Sequence, residues 1–156
     1  MRNFAPIRAW VAAAFAAVVI TSTLPNSAES HHSFAMYDRT KTVTVTGQLI
    51  RFIPGPNHAQ LIFELVGPDG NVVVSDDGEA VVWGIETGPS ASIAREGITV
   101  KSFPLGTILT ATLSPLRDGG TFGAVAPGGL IIKCGSTLPD GGCTEQTGEV
   151  FLRPRN

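Results

Sequence analysis

Strand-like apolar segments run through this chain and are interrupted only once, by a single helix-like stretch; that order leaves few folds open. Residues 42–52 (TVTVTGQLIRF) carry Val43, Val45, Leu49 and Phe52 in near-alternation, the period of a half-buried strand. Gly47 interrupts the run and marks a bulge or a bend. The loop IPGPN ends the ladder, because two prolines remove donors that a strand needs. Residues 59–66 (AQLIFELV) predict a second strand. The turn GPDGN follows, centred on Asp69 and Gly70, then a short strand or hairpin end at residues 72–74 and a second turn, SDDGE. Residues 80–86 (AVVWGIE) predict a third strand. TGPSASIAREG then predicts one helix, with Thr87 as its cap, Pro89 early and Gly97 at its close. Beyond it come an extended stretch at 98–103, a turn at FPLG and a fourth strand at 107–113 (TILTATL). A fifth strand is expected within 122–134, strongest at 130–133, and a short tail strand at 149–152. Five strands with one helix between the third and the fourth is the order of the OB-fold. The expectation is an all-β domain with one short helix, a small OB-like Greek-key β-barrel, with a β-sandwich as the alternative.

Residues 1–30 have the pattern of a secretory leader. Arg2 and Arg8 make the start positive, and an Ala-rich apolar stretch covers residues 9–20. That stretch is shorter than the roughly 20 apolar residues that span a bilayer. Ala28 and Ser30 fit the small-residue rule for cleavage. Cleavage after Ser30 makes His31 the new N-terminus; cleavage after Ala28 makes it the third residue. Residues 31–156 then form one domain, periplasmic or secreted. Its nine Lys and Arg against twelve Asp and Glu leave a formal charge of −3. With no basic run it is not built for nucleic acid, and nothing after residue 30 is apolar enough to hold it in a membrane. Cys134 and Cys143 flank the turn-rich loop GSTLPDGG, and their spacing matches no zinc pattern. An even pair in an exported chain predicts a disulfide, worth about 2 kcal/mol for so short a loop.

All three histidines fall in two short runs: His31 and His32 in SHHSF, and His58 in GPNHAQL. Neutral imidazoles suit copper, zinc, nickel and iron. An α-amine released by cleavage has an ordinary pKa of about 8, so a metal can displace its proton. Amine plus imidazoles is the nitrogen-rich set that copper(II) takes. His31, His32 and His58 are thus the candidate ligands, with copper or zinc as the metal. Asp38 and Glu86 are candidate oxygen ligands, or partners that orient an imidazole. The alternative has paired histidines on a solvated arm and His58 hydrogen-bonding within its loop. Phe34, Met36 and Tyr37 follow the histidines and are expected to dock the arm on the barrel.

The run HHSFAMYDRTKTVTVTGQLIRF resembles the opening of a secreted bacterial family, the domain of unknown function 6152. The resemblance rests on His31, His32, Ser33 and Phe34, then on Tyr37, Asp38, Lys41, Val43, Thr44 and Gly47. It continues through Asn57 and His58, Trp83 with Glu86, and the stretch GPSASIAREG with Arg95 and Gly97. It covers most of residues 31–120. The chain departs from the family pattern in its Cys pair and Gly-rich tail, which look peculiar to it, and at two motifs. Pro56 precedes Asn57 instead of standing between Asn and His, and the turn at 103–106 is FPLG where the family has Lys-Pro-Gly-Asp. The resemblance implies export and a fold, and no activity.

Two functions are compatible with these residues. One is a small exported protein that binds a transition metal through His31, His32 and His58. The other is a periplasmic module for a small ligand or a protein partner, with structural histidines. Gly-x-Ser-x-Gly, phosphate-loop and dinucleotide motifs are all missing from the sequence. A hydrolase or isomerase using His58 with Asp38 or Glu86 would lack a nucleophile arrangement, so binding rather than catalysis is expected.

Overall fold

The barrel closes on β1 (Val43–Ile53), whose two halves pair with different strands. The computed structural model describes residues 35–152, all within one unit spanning Phe34–Asn156. From Val43 to Gln48, β1 runs antiparallel to β4 (Ile108–Pro115); from Gly47 onward it runs antiparallel to β2 (Gln60–Leu65). β2 pairs with β3 (Val82–Glu86), β3 runs parallel to β5 (Phe122–Val125), and β5 returns antiparallel to β4. The ring β1-β2-β3-β5-β4-β1 is a closed five-stranded barrel, with α1 (Ser90–Arg95) between β3 and β4. That is the OB-like Greek-key order, and closure of the ring excludes the sandwich.

Alternation decides which side chains fill the barrel. Leu49, Leu61, Phe63, Ile85, Leu109, Ala111 and Leu113 point inward and form the buried core. Ile93 of α1, with Ile98 and Phe103 beyond it, joins the same core. Phe103 meets Phe151 edge to face, with ring centroids 5.0 Å apart. Gly47 has strand partners on both sides, Leu65 and Leu109. A Cβ there would run into the Phe63 ring and the Glu64 carbonyl oxygen. The irregularity expected at Gly47 is therefore divided. Gly47 supplies close approach, and the register slips farther along, between Leu49 and Arg51.

The helix is shorter than the predicted 87–97. Thr87 does not cap it, because its backbone N–H and its hydroxyl both donate to the Ala59 carbonyl, at 2.9 and 3.1 Å. Ser90 instead clasps the IPGPN loop: its N–H donates to the Gly55 carbonyl at 3.0 Å, and its hydroxyl accepts from the Gly55 N–H at 2.8 Å. Gly97 does close the helix, at φ 87°, with Gly97 N–H on the Ala94 carbonyl and Ile98 N–H on the Ile93 carbonyl. That is a Schellman motif, and its apolar contact is Ile93 with Ile98. Residues 98–103 are turn rather than extended. Thr99 and Ser102 hydrogen-bond each other's backbone N–H groups, which competes with any ladder.

The expected fifth strand divides in two. Pro127 and Gly128, the latter at φ 74°, separate β5 from β6 (Ile131–Lys133). β6 leaves the ring and pairs with Leu109–Ala111 of β4, and β7 (Glu149–Phe151) pairs on β6. The Cys134–Cys143 disulfide is formed, with Cα atoms 5.7 Å apart. Its loop covers a second apolar cluster, built on Ile108 and Ile132 outside the barrel wall. Beneath it the Thr110 hydroxyl donates to the Cys143 carbonyl at 2.8 Å. Among the described residues no helix is long and apolar enough to cross a membrane.

Candidate functional site

Ile85 and Leu113 face the core, so their neighbours Glu86 and Ser114 face outward. Both are register partners of Ala124 on β5, so Glu86, Ala124 and Ser114 stand in one row across the outer wall. Ala124, the residue between the two polar side chains, carries only a methyl. Tyr37 lies along the end of β4, where it bridges to Leu116. Its segment is held by Asp38 N–H on the Pro115 carbonyl (2.8 Å), Arg117 N–H on the Met36 carbonyl (2.9 Å) and Arg117 Nε on the Ala35 carbonyl (3.0 Å). Tyr37 is completely buried while Met36 is half exposed, so of the expected anchors Tyr37 does the docking. Phe34 lies outside the described residues.

His58 reaches the same row from the other side. Its loop is fixed by the Ser90 clasp and by Ala59, which exchanges backbone hydrogen bonds with Gly88 and Thr87. His58 Nδ1 lies 3.3 Å from Glu86 Oε1 and makes a long hydrogen bond, 3.4 Å, to the Thr87 carbonyl. A carbonyl only accepts, so Nδ1 donates, and the neutral ring carries its lone pair on Nε2. The His58 side chain is 33% exposed and that of Glu86 14%. Thus two of the residues singled out for a metal site, His58 and Glu86, are adjacent. His31 and His32 lie outside the described residues. Asp38 is placed differently: its carboxylate accepts from the Thr40 hydroxyl and N–H and pairs with Lys41 at 3.4 Å. The Thr40 bonds, with Lys41 adding to them, hold Asp38 below the usual carboxylate range. Glu86 does not cap α1, which has no side-chain cap.

Two cavities flank the row and share Ala124 and Val125. One, of about 360 Å³, opens between His58, Glu86 and Pro89. The other, of about 270 Å³, lies between Tyr37, Arg39, Ser114 and Pro127. The buried Ser114 hydroxyl has no hydrogen-bond partner among the described residues, whereas the Tyr37 hydroxyl and His58 Nδ1 both engage the Glu86 carboxylate. Burial foremost, and then the negative charge of Glu86, push the Tyr37 hydroxyl well above its ordinary value. Tyr37 is the only tyrosine in the chain, so tyrosinate absorbance reads it alone. A spectrophotometric titration is expected to show no tyrosinate at pH 10, where a free phenol is half ionised, until the protein unfolds. A folded-state pKa above the unfolded one contributes stability that is complete below about pH 10 and falls as pH rises beyond it. Tyrosinate forming near pH 10 with the fold intact would show that Tyr37 is not buried beside Glu86.

Ser114 and Ala124 were not singled out from the sequence. Their role depends on strand register, and the only local signal was a serine and an alanine at outward positions of alternating strands.

A closed OB-like barrel with two small cavities on its outer wall, between the Tyr37 segment and the His58 loop, defines the class of protein. Within that class the chain belongs to a family of unknown function, DUF6152, whose model matches residues 18–125. The match takes in β1 to β5 and every residue of the row; β6, β7 and the disulfide lie beyond it. No curated protein and no solved structure matches the chain.

Proposed function

We propose that this is an exported binding protein whose ligand is a transition metal, copper or zinc, held by His58 together with His31 and His32. The observation that carries the reading is that Glu86 borders both His58 and Tyr37. Tyr37 follows His31 by six residues, which in extended chain reach about 20 Å. The Nδ1 bond to Thr87 and the neighbouring Glu86 carboxylate are the supports that a metal-bound imidazole uses, and they direct Nε2 to the ion. An α-amine exposed by leader cleavage would add a fourth nitrogen, a set that favours copper(II). Export is supported by the leader pattern and by a disulfide of the kind that persists in oxidising compartments.

Titration calorimetry of copper and zinc into the exported protein tests this. Micromolar or tighter binding is expected, weakened about 100-fold or more by His58→Ala, the upper end of what lost metal support costs. Binding no tighter than that of a free peptide with the sequence of the arm would sink the joint site.

A further inference from the structure

We propose that the surface of residues 65–82 is a docking site for a basic segment of another protein, one in which apolar side chains are flanked by Lys or Arg. The site is separate from the metal site and does not rest on it. Beyond β2 the chain makes a turn at 67–71, an extended segment at 72–74 and a second turn at 75–79 before it enters β3. Every residue from 68 to 79 is exposed. The backbone is held nonetheless. Val73 N–H donates to the Leu65 carbonyl and Val81 N–H to the Val73 carbonyl, both at 2.9 Å. Gly67 N–H donates to the Asn71 carbonyl at 2.8 Å, and Ser75 N–H to the Glu79 carbonyl at 2.9 Å. Val72 pairs with Val66, and Val74 with Ala80. Directly paired residues share a side, as do residues two apart in extended chain, so these four make one apolar face. Val74 is 60% exposed and Val72 37%, and neither joins the two buried clusters. An apolar patch with a charged rim is the form of a protein interaction surface.

Charge decides the occupant. Between Arg51 and Arg95 the sequence has six carboxylates and no Lys or Arg. Four of the six stand in the two turns: Asp69 in the first, and Asp76, Asp77 and Glu79 in the second. The Asn71 side chain and N–H hold Asp69 below the usual carboxylate range, and the Ser75 hydroxyl and Glu79 N–H do the same for Asp77. The turns on either side of the valines therefore stay negative at neutral pH. A partner that covered the valines with apolar groups alone would leave these carboxylates without counter-charges. Lys or Arg on both sides of its apolar residues supplies them. The same rim repels an anionic lipid surface. The backbone is already fixed, so little ordering on this side opposes docking.

The probe is the peptide acetyl-Lys-Lys-Val-Ile-Thr-Val-Lys-Lys-amide, titrated into the purified protein and followed by amide chemical shifts of residues 65–82. Two control peptides each keep one half of the chemistry, the first with Glu for every Lys and the second with Ser for every Val and Ile. Saturable shifts with the basic apolar peptide alone are expected. They should weaken at 1 M salt, where charges are screened beyond about 3 Å. Val74→Ser should weaken binding about fivefold, the effect of losing most of one valine's burial. Asp76→Asn combined with Glu79→Gln should weaken it about threefold at low salt, while the Asp77 bonds that shape the turn stay in place. His58→Ala should leave peptide binding unchanged while removing metal binding, which separates failure of this proposal from failure of the metal reading. No saturable binding, equal binding of either control peptide, or binding untouched by Val74→Ser would each overturn it. Tighter binding to phosphatidylglycerol vesicles would overturn it in favour of a membrane. Dimerisation of the protein alone, abolished by Val74→Ser, would overturn it in favour of a second copy of the chain.

Discussion

Tyr37→Ala is expected to destabilise the domain by about 3–5 kcal/mol, and Tyr37→Phe by only about 1 kcal/mol, the net cost of one hydrogen bond. The two substitutions separate the ring from the hydroxyl. The ring is fully buried on the barrel wall and fastens the segment that bridges to Leu116. Removing it leaves a cavity over Ser114 and Ala124 that backbone bonds to Pro115 and Met36 cannot fill. For a small domain with about 5–15 kcal/mol in all, such a loss moves the unfolding midpoint far down. The hydroxyl's interaction is with the Glu86 carboxylate, so Phe gives up that one contact and keeps the packing of the ring. Urea denaturation followed by fluorescence of Trp83 measures both. Equal losses for Phe and Ala would mean that the Glu86 contact, and not the ring, fastens the segment. Because Tyr37 fixes the arm, Tyr37→Ala should also weaken metal binding without touching His58.

Gly47→Ala is expected to destabilise by about 3 kcal/mol, the upper end of ordinary overpacking. The added methyl has nowhere to go: the Phe63 ring stands on one side and the Glu64 carbonyl oxygen on the other. A ring can shift, but a ladder carbonyl moves only by opening the β1–β2 pairing. Gly47 sits where β1 is paired to β2 and β4 together, so a local opening there loosens the ring at its closure. Gly88→Ala is the comparison. Nothing lies within 4 Å of a Cβ at Gly88 and its φ is not left-handed, so that change should be close to neutral. Equal denaturation midpoints for the two variants would contradict the close-approach account.

The order of elements was legible because alternation and turn residues are local. Val43, Val45 and Leu49 announce β1 by themselves, and Gly97 ends the helix wherever that helix packs. Errors came where a distant partner decided. Thr87 has the chemistry of a helix cap, yet it is claimed by Ala59, which becomes its neighbour only when β2 and β3 pair. The apolar stretch 130–133 is the more strand-like half of its region, yet β5 of the ring is the weaker Phe122–Val125, chosen by the parallel pairing with β3. At the site, His58 and Glu86 were visible as residue types, and their adjacency follows from Gln60 pairing with Glu86. Asp38 looked equally suitable, but Thr40 two residues on captures its carboxylate in a local turn.

The annex of β6 and β7 changes what the molecule offers to its own kind. A closed ring hides every strand edge, and β1 to β5 each have a partner on both sides. β6 hangs from β4 and β7 from β6, so among the described strands β7 alone is paired on one side only. An unpaired edge is a template on which another chain can add a strand. Here the template is three residues long, begins with the charged Glu149 and is followed by Leu152 at φ 50°, a left-handed twist that ends the run. Self-association by strand addition is thus curtailed at the one place where the fold left it open.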